Sequence, residues 1–344
     1  MLAGYLVAPT QIELRDLPNP EAGPGEVVVR VRVALTDGTD LKAYRRGHPQ
    51  MPMPTRFGHE FSGDVAAVGA GVTRFAPGDA IMSVHSAPCG ACWWCEHDEA
   101  ELCAHVMETK ILGAYAEYIV IPPHIVACNV YAKPAHLSYE AAAFLEPLAC
   151  VVHSIRSLDL KRDATVAIVG DGGFGILHAL VASTFTDRPP ILIGRRPARL
   201  AVARAYGKFE VIDATGMPSA AVAEVLRERT NGRGVDAVVE STGTQAVWES
   251  APDLVRRGGT VSLFGGLPSG TRVAFDAARL HYDELRIISP FHFGPRAVRA
   301  AYDLLAAGAI DVERLIDERF ALADLERAFA RLAAGDGLKY AIVP

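Results

Sequence analysis

The chain has 344 residues, half of them hydrophobic and 22% charged, with a net charge of −6. That length asks for two domains, on a soft prior of about 100–200 residues each, and the composition excludes disordered, collagenous and small disulfide-built classes. The acidic balance leaves no electrostatic footprint for nucleic acid; only six of the 34 basic residues are lysine, so a single arginine is weak evidence of function.

Met1–Leu14 has no basic start followed by an apolar run, so no secretory leader is expected. Residues 1–130 read as mostly β. Glu26–Val33 puts Val27, Val29, Val31 and Val33 on one face of a strand, with Val28, Arg30 and Arg32 on the other. Turn signals recur at Pro24-Gly25, Gly69-Ala70-Gly71 and Pro77-Gly78-Asp79. Near residue 137 the texture changes: Leu137–Ser157 is alanine-rich behind a Ser138 start signal and reads as helix. Short apolar runs then alternate with helical segments. The strands are expected at Thr165–Val169, Ile191–Ile193, Val235–Val239 and Thr260–Phe264, with helices such as Arg199–Tyr206 and Ala220–Arg229 between them. This alternation predicts a doubly wound parallel sheet. The tail returns to helix, with Leu325, Ala328, Phe329 and Leu332 at helical spacing and Gly335 as the stop. The most apolar long stretch, Ala164–Ser183, holds Asp171, His178 and four glycines, which argues against a membrane span. A cytoplasmic protein is expected.

Gly170-Asp171-Gly172-Gly173-Phe174-Gly175 follows one of those strands and opens a helix, which is the setting of a dinucleotide loop rather than of an ordinary glycine-rich turn. Gly170 would make the turn, Gly172 would admit a pyrophosphate, Gly175 would let helix and strand pack closely, and the helix N-terminus would offer free N–H groups. At the end of the next strand an acidic residue would select NAD. That place holds Gly194, followed by Arg195, Arg196 and Arg199, with no carboxylate nearby. The reading leans to NADP over NAD; a solvated loop is the alternative.

Cys89, Cys92, Cys95 and Cys103 are spaced by two, two and seven residues. Clustered cysteines in a cytoplasmic chain favour metal over disulfides. Four thiolates close a tetrahedral Zn²⁺ shell, so this site is expected to be structural. Glu96, Asp98, Glu99 and Glu101 surround it, which is poor for phosphate contacts. Cys128 and Cys150 have no partner at ligand spacing.

Gly58-His59-Glu60-Phe61-Ser62-Gly63 lies downstream of Asp37-Gly38-Thr39-Asp40-Leu41-Lys42 and upstream of Glu146-Pro147-Leu148. With these motifs the chain resembles the zinc-dependent medium-chain dehydrogenases/reductases of the polyol branch. The likeness runs nearly end to end. It takes in the cysteine lobe, Leu112–Tyr118, the glycine loop, Val239–Gly243 and Phe264–Pro268. The resemblance implies an α/β chain: a GroES-like β-rich catalytic domain over 1–150, with a structural zinc lobe at about 85–110, and a Rossmann domain over 151–290. Residues 291–344 would return to the catalytic domain. It places a catalytic Zn²⁺ on His59, Glu60, Glu146 and the residue before the glycine-threonine-aspartate motif, where relatives carry cysteine and this chain has Asp37. It implies Thr39 as proton relay and Asp40 behind His59. Lys42 would stand where some relatives place a relay histidine, or would be a surface lysine. Thr242, Phe264 and Gly265 would line the cofactor. The implied protein is an NAD(P)-dependent alcohol, polyol or sugar dehydrogenase, forming a homodimer or homotetramer, with no nucleic-acid or membrane partner. A carboxylate can ligate Zn²⁺, but a harder donor set discriminates less among divalent ions. Asp37 is therefore either a working ligand or the mark of an empty or altered site. A zinc-independent reductase or epimerase on the same scaffold, and a non-catalytic nucleotide-binding protein, are the alternatives.

Overall fold

The computed structural model describes residues 1–49 and 51–344. The chain divides into two compact units: Met1–Ala149 with Phe293–Pro344, and Cys150–His292.

The first unit is built around the strand Val27–Leu35, which pairs antiparallel with Glu60–Val68, with Tyr118–Ile121 and with the last strand of the chain, Lys339–Val343. Arg30 and Arg32 are exposed and the odd-numbered valines buried, as the alternation predicts. Val28 departs from it and is only 2% exposed. Its backbone lies between two partners, and a register shift against Glu60–Val68 falls between Val28 and Val29, so strict alternation fails there. The tail helix Leu325–Ala333 buries Leu325, Ala328, Phe329 and Leu332, and the chain leaves it through Gly335 at φ 87°. Phe329 packs among the rings of Tyr44, Phe57 and Tyr115. Burying one such ring stabilises the unit by about 1.5–3 kcal/mol, so the C-terminal segment is part of this core.

The alanine-rich segment forms two helices, Tyr139–Ala143 and Leu145–Ser157, rather than one. Ser138 Oγ accepts from Ala141 N at 2.9 Å and caps the first. Phe144, with ψ near −2°, ends it. The interruption puts Glu146 in the first turn of the second helix.

The second unit holds six strands among the described residues, all pairing in parallel. They are Val166–Val169, Ile191–Gly194, Glu210–Asp213, Val235–Glu240, Val255–Leu263 and Arg286–Ile288. Numbered one to six in that order, they lie side by side as 3-2-1-4-5-6, the doubly wound order whose switch point lies beside the first strand. Helices Gly173–Phe185, Pro197–Arg204 and Ser219–Glu228 connect the early strands. The fifth strand starts five residues before the expected Thr260. Its opening residues, Val255-Arg-Arg-Gly-Gly, carry no apolar run; Val255 is buried and pairs with Val235, and the register then shifts before pairing resumes at Thr260. No helix of the described residues is long and apolar enough to cross a membrane.

Candidate functional site

The four cysteines converge as their spacing predicts, with every ligand atom within 4.8 Å of the others. Cys89 and Cys95 Sγ are 4.0 Å apart, and Cys92 and Cys95 Sγ are 3.5 Å apart. Zn–S bonds of about 2.3 Å make a tetrahedron whose edges are about 3.8 Å, so these separations bracket the expected value. Backbone amides point at the sulfurs: Cys89 N and His105 N lie 3.3 and 3.4 Å from Cys103 Sγ, and Ala91 N lies 3.5 Å from Cys89 Sγ. The amides of Cys95 and Ala104 pull the Cys92 thiol down to about 6. Burial and the neighbouring Cys92 thiol push the Cys95 thiol up to about 12; the convergence of four sulfurs at these separations fits a zinc ion closed by four sulfurs.

The second cluster is buried. Asp37 caps the helix Gly38–Arg46, its Oδ1 accepting from Thr39 N at 2.6 Å. His59 and Glu60 stand where the strand Glu60–Val68 begins. Asp37, His59 and Glu60 each present a ligand atom within 4.8 Å of the others, and their exposures are 5%, 6% and 0%. His59 Nδ1 is 3.0 Å from Asp40 Oδ1, and Asp40 Oδ2 accepts from the Tyr115 hydroxyl at 2.8 Å. That leaves His59 Nε2 turned to Asp37 Oδ1 at 3.6 Å. Asp37 Oδ2 and Glu60 Oε1 are buried with no hydrogen-bond partner among the described residues. Such atoms cost roughly 1–3 kcal/mol each unless something compensates them, and a cation held between them would do so. Burial opposes a charge on His59, but the neighbouring Asp40 carboxylate outweighs it and holds the imidazole well above its ordinary value. Burial alone would raise Asp37; His59, Lys339 and the amides of Thr39 and Gly38 bring it below the usual range. Burial pushes Glu60 well up despite Lys339, and Asp37 and Glu146 add to the rise.

Glu146, expected on the same ion, has His85 beside it, with Nδ1 to Oε1 at 3.2 Å and both residues buried. Glu146 also raises His59 electrostatically, and the His59 and His85 rings meet edge-on with centroids 4.9 Å apart. Burial, then His59 and Lys110, keep His85 well below the ordinary histidine range, so it stays neutral. Thr39 and Lys42 are half-buried, three residues apart on Gly38–Arg46.

Sequence reasoning missed three residues here. His85 had no local motif. Tyr115 sat inside a quoted motif without a role. Lys339 is 279 positions from the Glu60 it pairs with, and its Nζ also donates to Thr36 O at 2.7 Å. No sequence signal marks that buried pair; only the return of the last strand creates it.

In the second unit, the helix Gly173–Phe185 starts from the glycine loop. A Cβ on Gly175 would lie 1.9 Å from Gly170 O, so only glycine allows this approach. A Cβ on Gly173 would meet nothing within 4 Å, and one on Gly172 only an arginine tip at 3.8 Å. The loop thus leaves open space at the helix N-terminus, where phosphate groups are favoured. The expectation that no carboxylate lies near Gly194 is corrected. Asp171, from the loop itself, accepts from Arg195 N at 2.7 Å and Arg196 N at 2.9 Å, and lies 4.0 Å from Arg199 Nη1. A Cβ on Gly194 would lie 2.5 Å from Asp171 Cβ, which explains the glycine. Arg195 and Arg196 are exposed. At the ends of the fourth and fifth strands, Glu240 Oε1 accepts from Thr242 N at 2.7 Å, and Glu240 O from Phe264 N and Gly265 N at 3.0 Å. Phe264 also packs on Phe174, centroids 5.2 Å apart.

Residues 23–130 match the alcohol dehydrogenase GroES-like domain family, and residues 175–307 the zinc-binding dehydrogenase family. The chain is 30% identical over 333 residues to the L-threonine 3-dehydrogenase of Chelativorans sp. (strain BNC1), covering 95% of this chain and 93% of that one. It is 29% identical to the sorbitol dehydrogenase of Bacillus subtilis (strain 168), covering 96% and 93%. Among solved structures, it is similar to a protein of Sinorhizobium meliloti 1021 assigned as a zinc-binding dehydrogenase and bound to NADP. That likeness has a TM-score of 0.89 at 30% identity and covers 100% and 99% of the two chains.

Proposed function

This chain belongs to the zinc-dependent medium-chain dehydrogenases, and on that premise we propose that it moves hydride between a secondary alcohol or polyol and a nicotinamide dinucleotide, with NADP preferred. The observation that carries the reading is the buried convergence of Asp37, His59 and Glu60, with two carboxylate oxygens left without hydrogen-bond partners among the described residues. Asp37, His59 and Glu146 would hold the catalytic ion, with Glu60 able to join or to stay on Lys339. Cys89, Cys92, Cys95 and Cys103 would hold the structural one. When bound, zinc supplies Lewis acidity toward a substrate hydroxyl, and the nicotinamide supplies the hydride acceptor.

The chain's own residues do the rest. Asp40 accepts the His59 Nδ1 proton and so leaves Nε2 as the ligating nitrogen. Tyr115 holds Asp40 in turn, which fixes the ring plane. Thr39 carries the substrate proton outward, and Lys42, on the same helix face, is its next station. Breaking the Lys339–Glu60 pair would cost on the order of 3–5 kcal/mol, because the charge left behind is buried; Lys339 therefore decides how Glu60 is presented.

In the second unit, the open loop at Gly172 and Gly173 would receive the pyrophosphate. Thr242, Phe264 and Gly265 would face the nicotinamide end. Arg195 and Arg196 would take a 2′-phosphate, with Asp171 fixing their backbone. The edge strand Arg286–Ile288 suits pairing between copies, as a dimer or tetramer. Four thiolates kept for metal suit the reducing cytoplasm.

The test is a panel of secondary alcohols, polyols and sugars read by nicotinamide absorbance with NAD and NADP, before and after adding Zn²⁺. Zinc-stimulated turnover is expected. The double change of Arg195 and Arg196 to alanine should cut kcat/KM for NADP about tenfold, the cost of roughly 1.4 kcal/mol, and leave NAD unchanged. Equal loss with both cofactors would refute the arginine assignment.

A further inference from the structure

We propose that His85 is a ligand of the buried catalytic ion, sharing it with His59 and Glu146. This rests on the metal-site reading above and deepens it, by assigning a nitrogen donor that neither the sequence motifs nor the resemblance supplies.

Two ligand atoms on a tetrahedral ion with bonds of about 2.0–2.1 Å lie about 3.3 Å apart. His59 Nε2 to Asp37 Oδ1 is 3.6 Å, and His85 Nδ1 to Glu146 Oε1 is 3.2 Å. Both pairs therefore stand at ligand-to-ligand spacing. The pairs are joined through the histidines. Two imidazoles on one tetrahedral ion would place their ring centroids about 5 Å apart, and the His59 and His85 centroids are 4.9 Å apart with the rings at 70°. All four side chains are at least nine-tenths buried, and Asp37 Oδ2 has no hydrogen-bond partner among the described residues. The Phe293 ring packs edge-on against His85 at 5.9 Å and restrains it.

The chemistry agrees. With Asp37 where relatives carry a thiolate, the remaining set would be one imidazole among carboxylates, which favours hard cations. A second imidazole restores a borderline donor. Two histidines and one glutamate also form a recognised catalytic zinc set with a position left open. In this arrangement Asp37 caps its helix through Oδ1 and is the weaker, exchangeable oxygen.

The decisive measurement counts imidazoles on the metal. Protein loaded with Co²⁺ at the buried centre should show two exchangeable, hyperfine-shifted imidazole N–H resonances in its proton NMR spectrum. His85→Ala should remove one, and should weaken the second Zn²⁺ about tenfold or more in equilibrium against a chromophoric chelator. The four-cysteine zinc should be untouched. One shifted resonance in the wild type, with zinc affinity kept in His85→Ala and lost in His59→Ala, would overturn the assignment of His85 and leave the catalytic metal site standing. Only one zinc per chain, lost with the cysteines, would overturn both. The wild-type spectrum decides the ligand count even if His85→Ala does not fold.

Discussion

The two candidate metal clusters of the first unit are built in opposite ways. The four cysteines fall within fifteen consecutive residues, are mostly accessible, and are steadied by amides of their own loop. The buried cluster draws Asp37, His59, Glu60, His85 and Glu146 from separate elements, and Lys339 from the far end of the chain. A closed thiolate shell needs little beyond its loop. An open, reactive shell needs a dry wall, fixed tautomers and a counter-charge, which only distant segments packed together provide.

The sharpest way to break this contrast is His59→Ala. Turnover should fall on the order of 10³-fold or more, the equivalent of about 4 kcal/mol of lost stabilisation. Zinc analysis should show the cysteine-bound ion retained and the buried one lost. Robust nicotinamide turnover in that variant would remove the metal from the chemistry.

Asp37→Cys sharpens the contrast from the other side. It makes the buried donor set softer, and zinc retention against a chelator should rise about tenfold. The same change removes the cap on Thr39 N and should cost about 1 kcal/mol in denaturant unfolding. Unchanged zinc retention would mean that Asp37 is not a ligand.

Acidification separates the centres by a smaller margin. Metal binding needs His59 neutral and the thiols ionised. His59, beside Asp40, takes up its proton well above the ordinary histidine value, so protons displace the ion early as pH falls. In the cysteine cluster, Cys92 keeps its thiolate down to about 6, whereas Cys95 is pushed up to about 12. An indicator titration that follows both ions as pH falls should therefore show separate release steps for the two centres. Simultaneous release would dissolve the distinction.

Much of the fold was legible in the chain. Period-two valines marked the central strand, apolar runs marked the parallel strands, and helical spacing marked the tail helix, because each is a local pattern of burial. The exceptions have local physical causes: the Val28 register shift, the break at Phe144, and the glycine-rich opening of the fifth strand.

The sequence by itself determined the four-cysteine lobe, the glycine loop and the candidate ligands Asp37, His59, Glu60 and Glu146, because spacing and residue chemistry survive without coordinates. Tertiary structure alone decided that His85 stands beside Glu146, that Lys339 faces Glu60, that Tyr115 holds Asp40, and that Asp171 fills the space at Gly194. Each of these joins side chains from different elements. Such contacts are set by packing across a shared core, where neither spacing nor composition carries a trace.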